Sequence, residues 1–152
     1  MHVENGYTSF YSENTMILKH FDREFCNLVN AYKVNEWFIP ALINGEILER
    51  CGYFSTQPHH LTKVGFIKRT NLQAISDNAN NIYDDDFDNS TNVYLTPAAC
   101  LHLYPMIEQN PVRNEIISTL ARVYRYEDGY FTSMERQWDF TVREFVAVGS
   151  IE

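Results

Sequence analysis

The chain has 152 residues, 45% hydrophobic and 14% aromatic, enough to bury one sizeable core within the length of a single domain. Twelve basic against twenty acidic residues leave a formal charge of −8, so the overall electrostatics do not favour a phosphate backbone as partner. No apolar stretch approaches the roughly 18 to 20 residues that cross a bilayer; three widely spaced cysteines and no basic-then-apolar leader pattern point to a reducing, cytoplasmic setting without a disulfide framework.

Across residues 11–34, Met16, Ile17, Phe21, Phe25, Leu28, Val29 and Tyr32 recur at three- and four-residue spacing, which predicts an amphipathic helix. Trp37 and Phe38 follow, Pro40 interrupts the backbone hydrogen bonding, and residues 41–51 read as a short helix ended by Gly52. Residues 64–67 and 94–96 read as short strands. Residues 71–92 are rich in Asn and Asp, with Asp84, Asp85, Asp86 and Asp88, and read mostly as a solvated loop or insertion. That acidic run lacks the sixth-position glycine and distal glutamate of a helix-loop-helix calcium site, which sets calcium aside.

Residues 98–107 and then 114–120 return to a helical pattern. The last segment alternates apolar and polar residues about Gly129, so residues 122–127 are expected to pair with 138–149 as an antiparallel hairpin. Helices first and a long hairpin last define an α+β domain with a mostly antiparallel sheet flanked by helices. No internal repeat or linker divides it.

Charged residues punctuate this hairpin. Arg125 and Glu127, two apart, share one strand face, while Arg136, Arg143 and Glu144 lie near or on the second strand. Spacing alone makes them ordinary cross-strand ion pairs on a solvent face, which are worth little. Taken singly, Cys100 is a small buried residue and Glu144 a surface partner of Arg143. His59 and His60, adjacent on an extended segment with no third ligand nearby, read as a polar loop pair. No glycine-flanked serine and no Gly-rich phosphate loop is present, which sets aside hydrolase and P-loop chemistry.

The run VYRYEDGY followed by ERQWDFTVREFVAVGS resembles motif 2 of class II aminoacyl-tRNA synthetases, in which Arg-x-Glu, a loop and a second Arg precede a Phe-containing strand. It is most similar to the seryl branch. The resemblance implies that Arg125 holds the α-phosphate of ATP, that Glu127 contacts the adenine amino group, and that Phe140 stacks on the adenine. Arg136 would face the distal phosphates, with Mg2+ neutralising the remaining charge. Attack of a carboxylate on the α-phosphate builds charge on its oxygens, and fixed guanidinium groups stabilise that charge without reorganising.

A second run, YLTPAACLHLYP, is similar to the substrate loop of seryl-type enzymes, with Ala98, Ala99 and Cys100 where the family has Thr-Ala-Glu. A cysteine there resembles the zinc-dependent relatives, namely methanogen-type seryl enzymes and amino acid:carrier protein ligases. This implies Cys100 and Glu144 as Zn2+ ligands, the third ligand, a cysteine, not being in this chain. Two thiolates and a carboxylate leave one position open for the α-amine of an amino acid. The run GYFSTQPHHL resembles the stretch after motif 1 in the ligases, and Pro40 stands where the motif 1 proline of the dimer interface would be.

The resemblance covers the chain loosely from about Phe21 to its last residue and implies that residues 1–152 form a single class II synthetase-like catalytic-domain fragment. The motif 3 region with its ATP-binding arginine is absent from it, as is a coiled-coil arm for gripping transfer RNA. The expected function is ATP-dependent activation of a small amino acid (glycine, alanine or serine) as an aminoacyl-adenylate for transfer to a carrier-protein thiol. The chain would act as a partial or split subunit completed by a second polypeptide. The alternative is a non-catalytic synthetase-derived module for dimerisation or ligand binding. tRNA is an unlikely acceptor in this reading, and an unpaired sheet edge implies a homo- or hetero-oligomer.

Overall fold

Ile117, Thr119, Ala121 and Val123 are buried at alternate positions of one ten-residue strand, and that period of two organises the fold. The computed structural model of the chain describes residues 2–4, 6–77, 82–129 and 135–149. In chain order the elements are β1 (His2–Glu4), β2 (Tyr7–Ser9), α1 (Glu13–Asn27), β3 (Val34–Glu36), β4 (Leu42–Asn44), α2 (Gly45–Arg50) and α3 (Tyr53–Thr56). A 3-10 turn at Pro58–His60 follows, then β5 (Phe66–Ile67), α4 (Leu72–Asp77), β6 (Phe87–Asp88), β7 (Val93–Leu95), α5 (Cys100–Gln109), β8 (Glu115–Tyr124) and β9 (Asp139–Val148).

The main sheet has the strand order β1-β2-β9-β8-β3. At its centre β8 and β9 pair antiparallel along their whole length, from Glu115 opposite Val148 to Tyr124 opposite Asp139. β1 is antiparallel to β2, while β2 and β3 run parallel to β9 and β8 respectively. Two small antiparallel sheets, β4-β7 and β5-β6, stand beside it. The α+β class is as expected, with two short parallel pairings added to the antiparallel centre.

Two apolar clusters meet on α5. On one side Leu103 and Ala99 pack with Ile39, Ile117 and Ala121, so α5 covers the face of the sheet that carries the odd-numbered residues of β8. On another, Leu101 packs with Ile43 and Leu48 and ties α5 to β4 and α2. Leu48 and Leu103 are fully buried, and each contributes about 1.5–3 kcal/mol of transfer free energy. Buried His102 bonds Thr96 Oγ1 through Nε2 at 2.9 Å, linking α5 to the end of β7. Burial pushes its pKa down, which keeps the ring neutral.

Several elements differ from the sequence reading. Residues 114–120, expected as a helix, form the first half of β8, because Ile116, Ile117 and Thr119 are β-branched and their burial alternates. Residues 41–51 divide into a strand and a helix at Asn44, whose side chain accepts from the Glu46 amide at 2.8 Å and starts α2. The helix expected across 98–107 begins at Cys100 and runs to Gln109. Within 71–92, α4 and a 3-10 turn at Asp84–Asp86 are ordered, and Asn71 Nδ2 donates to Asp86 Oδ1 at 2.6 Å. Residues 78–81 of that stretch lie outside the described residues.

The first helix is real but shorter than expected, Glu13–Asn27, and none of its residues is buried. Its apolar stripe faces outward: Met16, Phe21, Phe25 and, just past the end, Leu28 are exposed. Polar contacts tie it to the sheet. The Arg143 guanidinium on β9 grips Asp22 on α1 with two bonds, at 2.7 and 3.0 Å. It also donates to Glu36 on β3 at 2.6 Å and to Ser118 Oγ on β8 at 2.8 Å. Among the described residues no helix is long and apolar enough to cross a membrane.

The Arg143 side chain is only 8% exposed, so removing it leaves Asp22 and Glu36 facing each other without a cation. Arg143→Ala should lower the unfolding free energy by about 3 kcal/mol, the low end for breaking a buried pair because both carboxylates keep some water. Urea denaturation reads the loss; an unchanged midpoint would mean the cluster contributes nothing net.

Candidate functional site

The end of β8 is where the sequence-predicted residues gather. Past Tyr124 the ladder continues for one more bond, the Arg125 amide donating to the Trp138 carbonyl at 2.8 Å. The side chain of Arg125 therefore lies on the same sheet face as Phe140, with its guanidinium carbon 5.4 Å from the ring centroid. Arg125 Nε also donates to the Pro97 carbonyl at 2.8 Å, which fixes the guanidinium between a backbone oxygen and an aromatic face. Glu127 and Arg136 pair across the hairpin at 2.8 Å, and Trp138 Nε1 donates to the Glu127 carbonyl at 2.8 Å. Residues 130–134, between the two strands, lie outside the described residues, as does Ser150 at the end of the motif-like run.

Residues far away in sequence close the same end. The Tyr124 amide donates to the Thr96 carbonyl at 2.8 Å, and the Tyr126 amide to the His60 carbonyl at 3.0 Å. The 3-10 turn at Pro58–His60 is thereby held against Arg125 and Glu127. The His60 pKa is pushed down, first by burial and then by the neighbouring His59 and Arg125 charges, so the ring is neutral there. His60 Nδ1 is buried without a hydrogen-bond partner among the described residues. Sequence reading assigned His60 to a polar loop; no spacing rule exposes a contact made by one backbone hydrogen bond between distant segments.

The second group lies further along β9. The Glu144 carboxylate accepts from the Ala99 amide at 3.1 Å and the Cys100 amide at 2.8 Å, capping the start of α5 with a negative charge where the helix dipole is positive. Glu144 is not the surface partner of Arg143: the two are adjacent on β9 and point to opposite faces, Arg143 towards α1. Cys100 and Glu144 are thus brought together. Burial, and secondly the Glu144 charge, push the Cys100 thiol up, towards its protonated form.

Zinc needs a thiolate and lone pairs that are not already engaged, and a catalytic zinc site takes three protein ligands. Here both Glu144 oxygens accept from backbone amides. Among the described residues no three His, Cys, Asp or Glu side chains gather closely enough to hold a metal ion. The two donors of this chain do not by themselves fit zinc, and no chemistry is routed through it here. Cys26, Cys51 and Cys100 are all free thiols.

No family model and no curated protein matches the chain. Solved structures do. The seryl-tRNA synthetase of M. kandleri, crystallised with A. aeolicus tRNASec, superposes with a TM-score of 0.65 at 18% identity, covering 86% of this chain and 27% of that one. The RNA-binding domain of threonyl-tRNA synthetase from Cryptosporidium parvum Iowa II superposes with a TM-score of 0.51 at 13% identity, covering 82% and 26%. At these identities the likeness is one of fold, and the chain spans about a quarter of the length of each neighbour.

Replacing Glu144 tests the cap directly. Glu144→Ala strips two amides at the start of α5 of their acceptor and should lower the unfolding free energy by about 1–2 kcal/mol. Chemical denaturation measures it, and a midpoint equal to that of the parent chain would rule the cap out.

Proposed function

We propose that the chain is a class II synthetase-derived module that engages ATP at the open end of the β8-β9 hairpin. With a second polypeptide completing the site, it would support activation of a small amino acid as an aminoacyl-adenylate. One observation carries the reading: Arg125 is held between Phe140 and the Pro97 carbonyl, beside the Glu127–Arg136 pair. These are the four residues that the motif 2 resemblance assigns to ATP. The fold likeness to two tRNA synthetases supports it at the level of architecture.

The chemistry asked of these residues is modest. The amino acid's carboxylate attacks the α-phosphate and pyrophosphate leaves, so charge gathers on phosphate oxygens. A guanidinium already fixed by a carbonyl and a ring stabilises that charge without first reorganising. Phe140 would exchange its contact with Arg125 for one with the adenine. Mg2+, when bound, would offset the charge of the leaving group. A zinc role for Cys100 and Glu144 requires a donor from the second polypeptide.

The net charge of −8 favours a carrier-protein thiol over an RNA backbone as acceptor. The M. kandleri neighbour was crystallised with a tRNA, so tRNA is the competing acceptor. A non-catalytic module is the second reading, favoured by the engagement of Glu144 as a helix cap.

ATP binding by calorimetry, followed by pyrophosphate exchange with glycine, alanine or serine, separates these readings. Binding should weaken roughly tenfold or more in Arg125→Ala, which removes a charge-assisted contact. Exchange only on adding the second polypeptide supports the split ligase. Binding without exchange under any combination leaves the non-catalytic module, and no ATP binding removes both nucleotide readings.

Association is the other part of this proposal. The exposed stripe of α1 and the outer edge of β3 together offer apolar surface and backbone hydrogen-bonding groups to another chain. Sedimentation should give a mass above that of one 17.8 kDa chain, falling to it in Phe21→Glu. A monomeric parent chain would end the oligomer reading.

A further inference from the structure

A second feature at the same end of the hairpin has no role in the adenylate chemistry. Where β2, β9 and the end of β8 meet, Tyr7, Tyr124, Tyr126 and Trp138 line a cavity of about 360 Å3 together with Arg125 and Asp139. That volume falls in the range of small-ligand sites, about 300–1,000 Å3. Phe140 is not part of its lining.

The cavity is preorganised. Trp138 is held by its indole N–H on the Glu127 carbonyl and by its amide on the Gly6 carbonyl at 2.6 Å. Gly6 passes so close that a Cβ there would come within 2.3 Å of the indole ring. The Tyr126 ring lies 5.1 Å from Trp138, tilted by 38°, so the two are not stacked flat on one another. Tyr7 and Tyr126 are 47% and 44% exposed, which places their rings at the mouth.

Charge selects the ligand. An aromatic box with an uncompensated carboxylate suits an organic cation, but Asp139 is paired with Arg122, whose Nε donates to Oδ1 at 2.8 Å. Arg125 then adds a positive charge to the lining. A planar group carrying a negative charge is the better match, since aromatic side chains stack any nucleobase while a guanidinium takes its phosphate.

We propose that the Trp138 cavity binds a nucleotide unit, its base stacked against Trp138 and Tyr126 and its phosphate towards Arg125. The unit comes either from a free nucleotide or from the end of an unpaired RNA strand. The proposal goes beyond the adenylate reading and does not depend on it.

Trp37 and Trp138 are the only tryptophans, so in a Trp37→Phe background the emission reports Trp138 alone. Titration with AMP and with a single-stranded adenylate pentamer should quench it saturably. Tyr126→Leu should weaken binding roughly tenfold, as loss of one stacking platform does, while Tyr126→Phe and Phe140→Leu leave it unchanged. Tighter binding of the pentamer with steep salt dependence identifies a strand end as the source, and equal binding identifies a free nucleotide.

No saturable quenching by either probe at millimolar concentration overturns the proposal, as does quenching by tetramethylammonium instead. Loss in Phe140→Leu with retention in Tyr126→Leu also overturns it, while leaving the ATP reading intact. If the Trp37→Phe chain does not fold, saturation-transfer NMR of AMP on the parent chain and on Tyr126→Leu gives the same decision.

Discussion

Pairing of β8 with β9 across ten residue pairs fixes which side chains share a face, and almost every other contact of the molecule follows from it. A shift of one residue would exchange the two faces completely. In the observed register Ile117, Ala121 and Val142 meet α5, and Glu144 reaches the amides that begin that helix. Ser118 and Arg143 fall on the other face, where they hold α1. Beyond Tyr124 the same alternation sets Arg125 beside Phe140 and leaves Tyr126 to lean on Trp138. One ladder thus builds both the candidate ATP site and the neighbouring aromatic cavity.

Much of this ladder was legible from residue types. The alternation on either side of Gly129 announces a hairpin, and its second strand lies close to where the pattern places it. The first half of β8 was misread because Ile116, Ile117 and Leu120 fit helical spacing as well as alternation; the concentration of β-branched residues was the deciding signal. The strands at His2–Glu4, Val34–Glu36 and Leu42–Asn44 are three residues each, too short for periodicity, and exist because the long hairpin offers them an edge or another strand a partner. α1 carries a genuine apolar period, but periodicity does not say what an apolar stripe packs against.

The site divides in the same way. Arg125, Glu127, Arg136 and Phe140 were visible through a motif whose geometry depends on one hairpin, and local pairing brings them together. The proximity of Cys100 to Glu144 depends on how α5 crosses the sheet, and only a family resemblance hinted at it. That resemblance did not foresee that the carboxylate would serve as a helix cap. His60 and Trp138 owe their places to single hydrogen bonds between remote segments, which leave no trace in spacing.

The attachment of α1 has a thermodynamic signature of its own. Because the helix buries no residue and is gripped by Arg143, lifting it from the sheet would expose little new apolar surface and so carry almost no heat-capacity change. Its docking equilibrium would respond instead to ionic strength, since Asp22 and Glu36 keep contact with water where counter-ions screen them. The molecule therefore combines a core governed by hydration with an outer helix governed by charge, and the two would loosen independently, under different conditions.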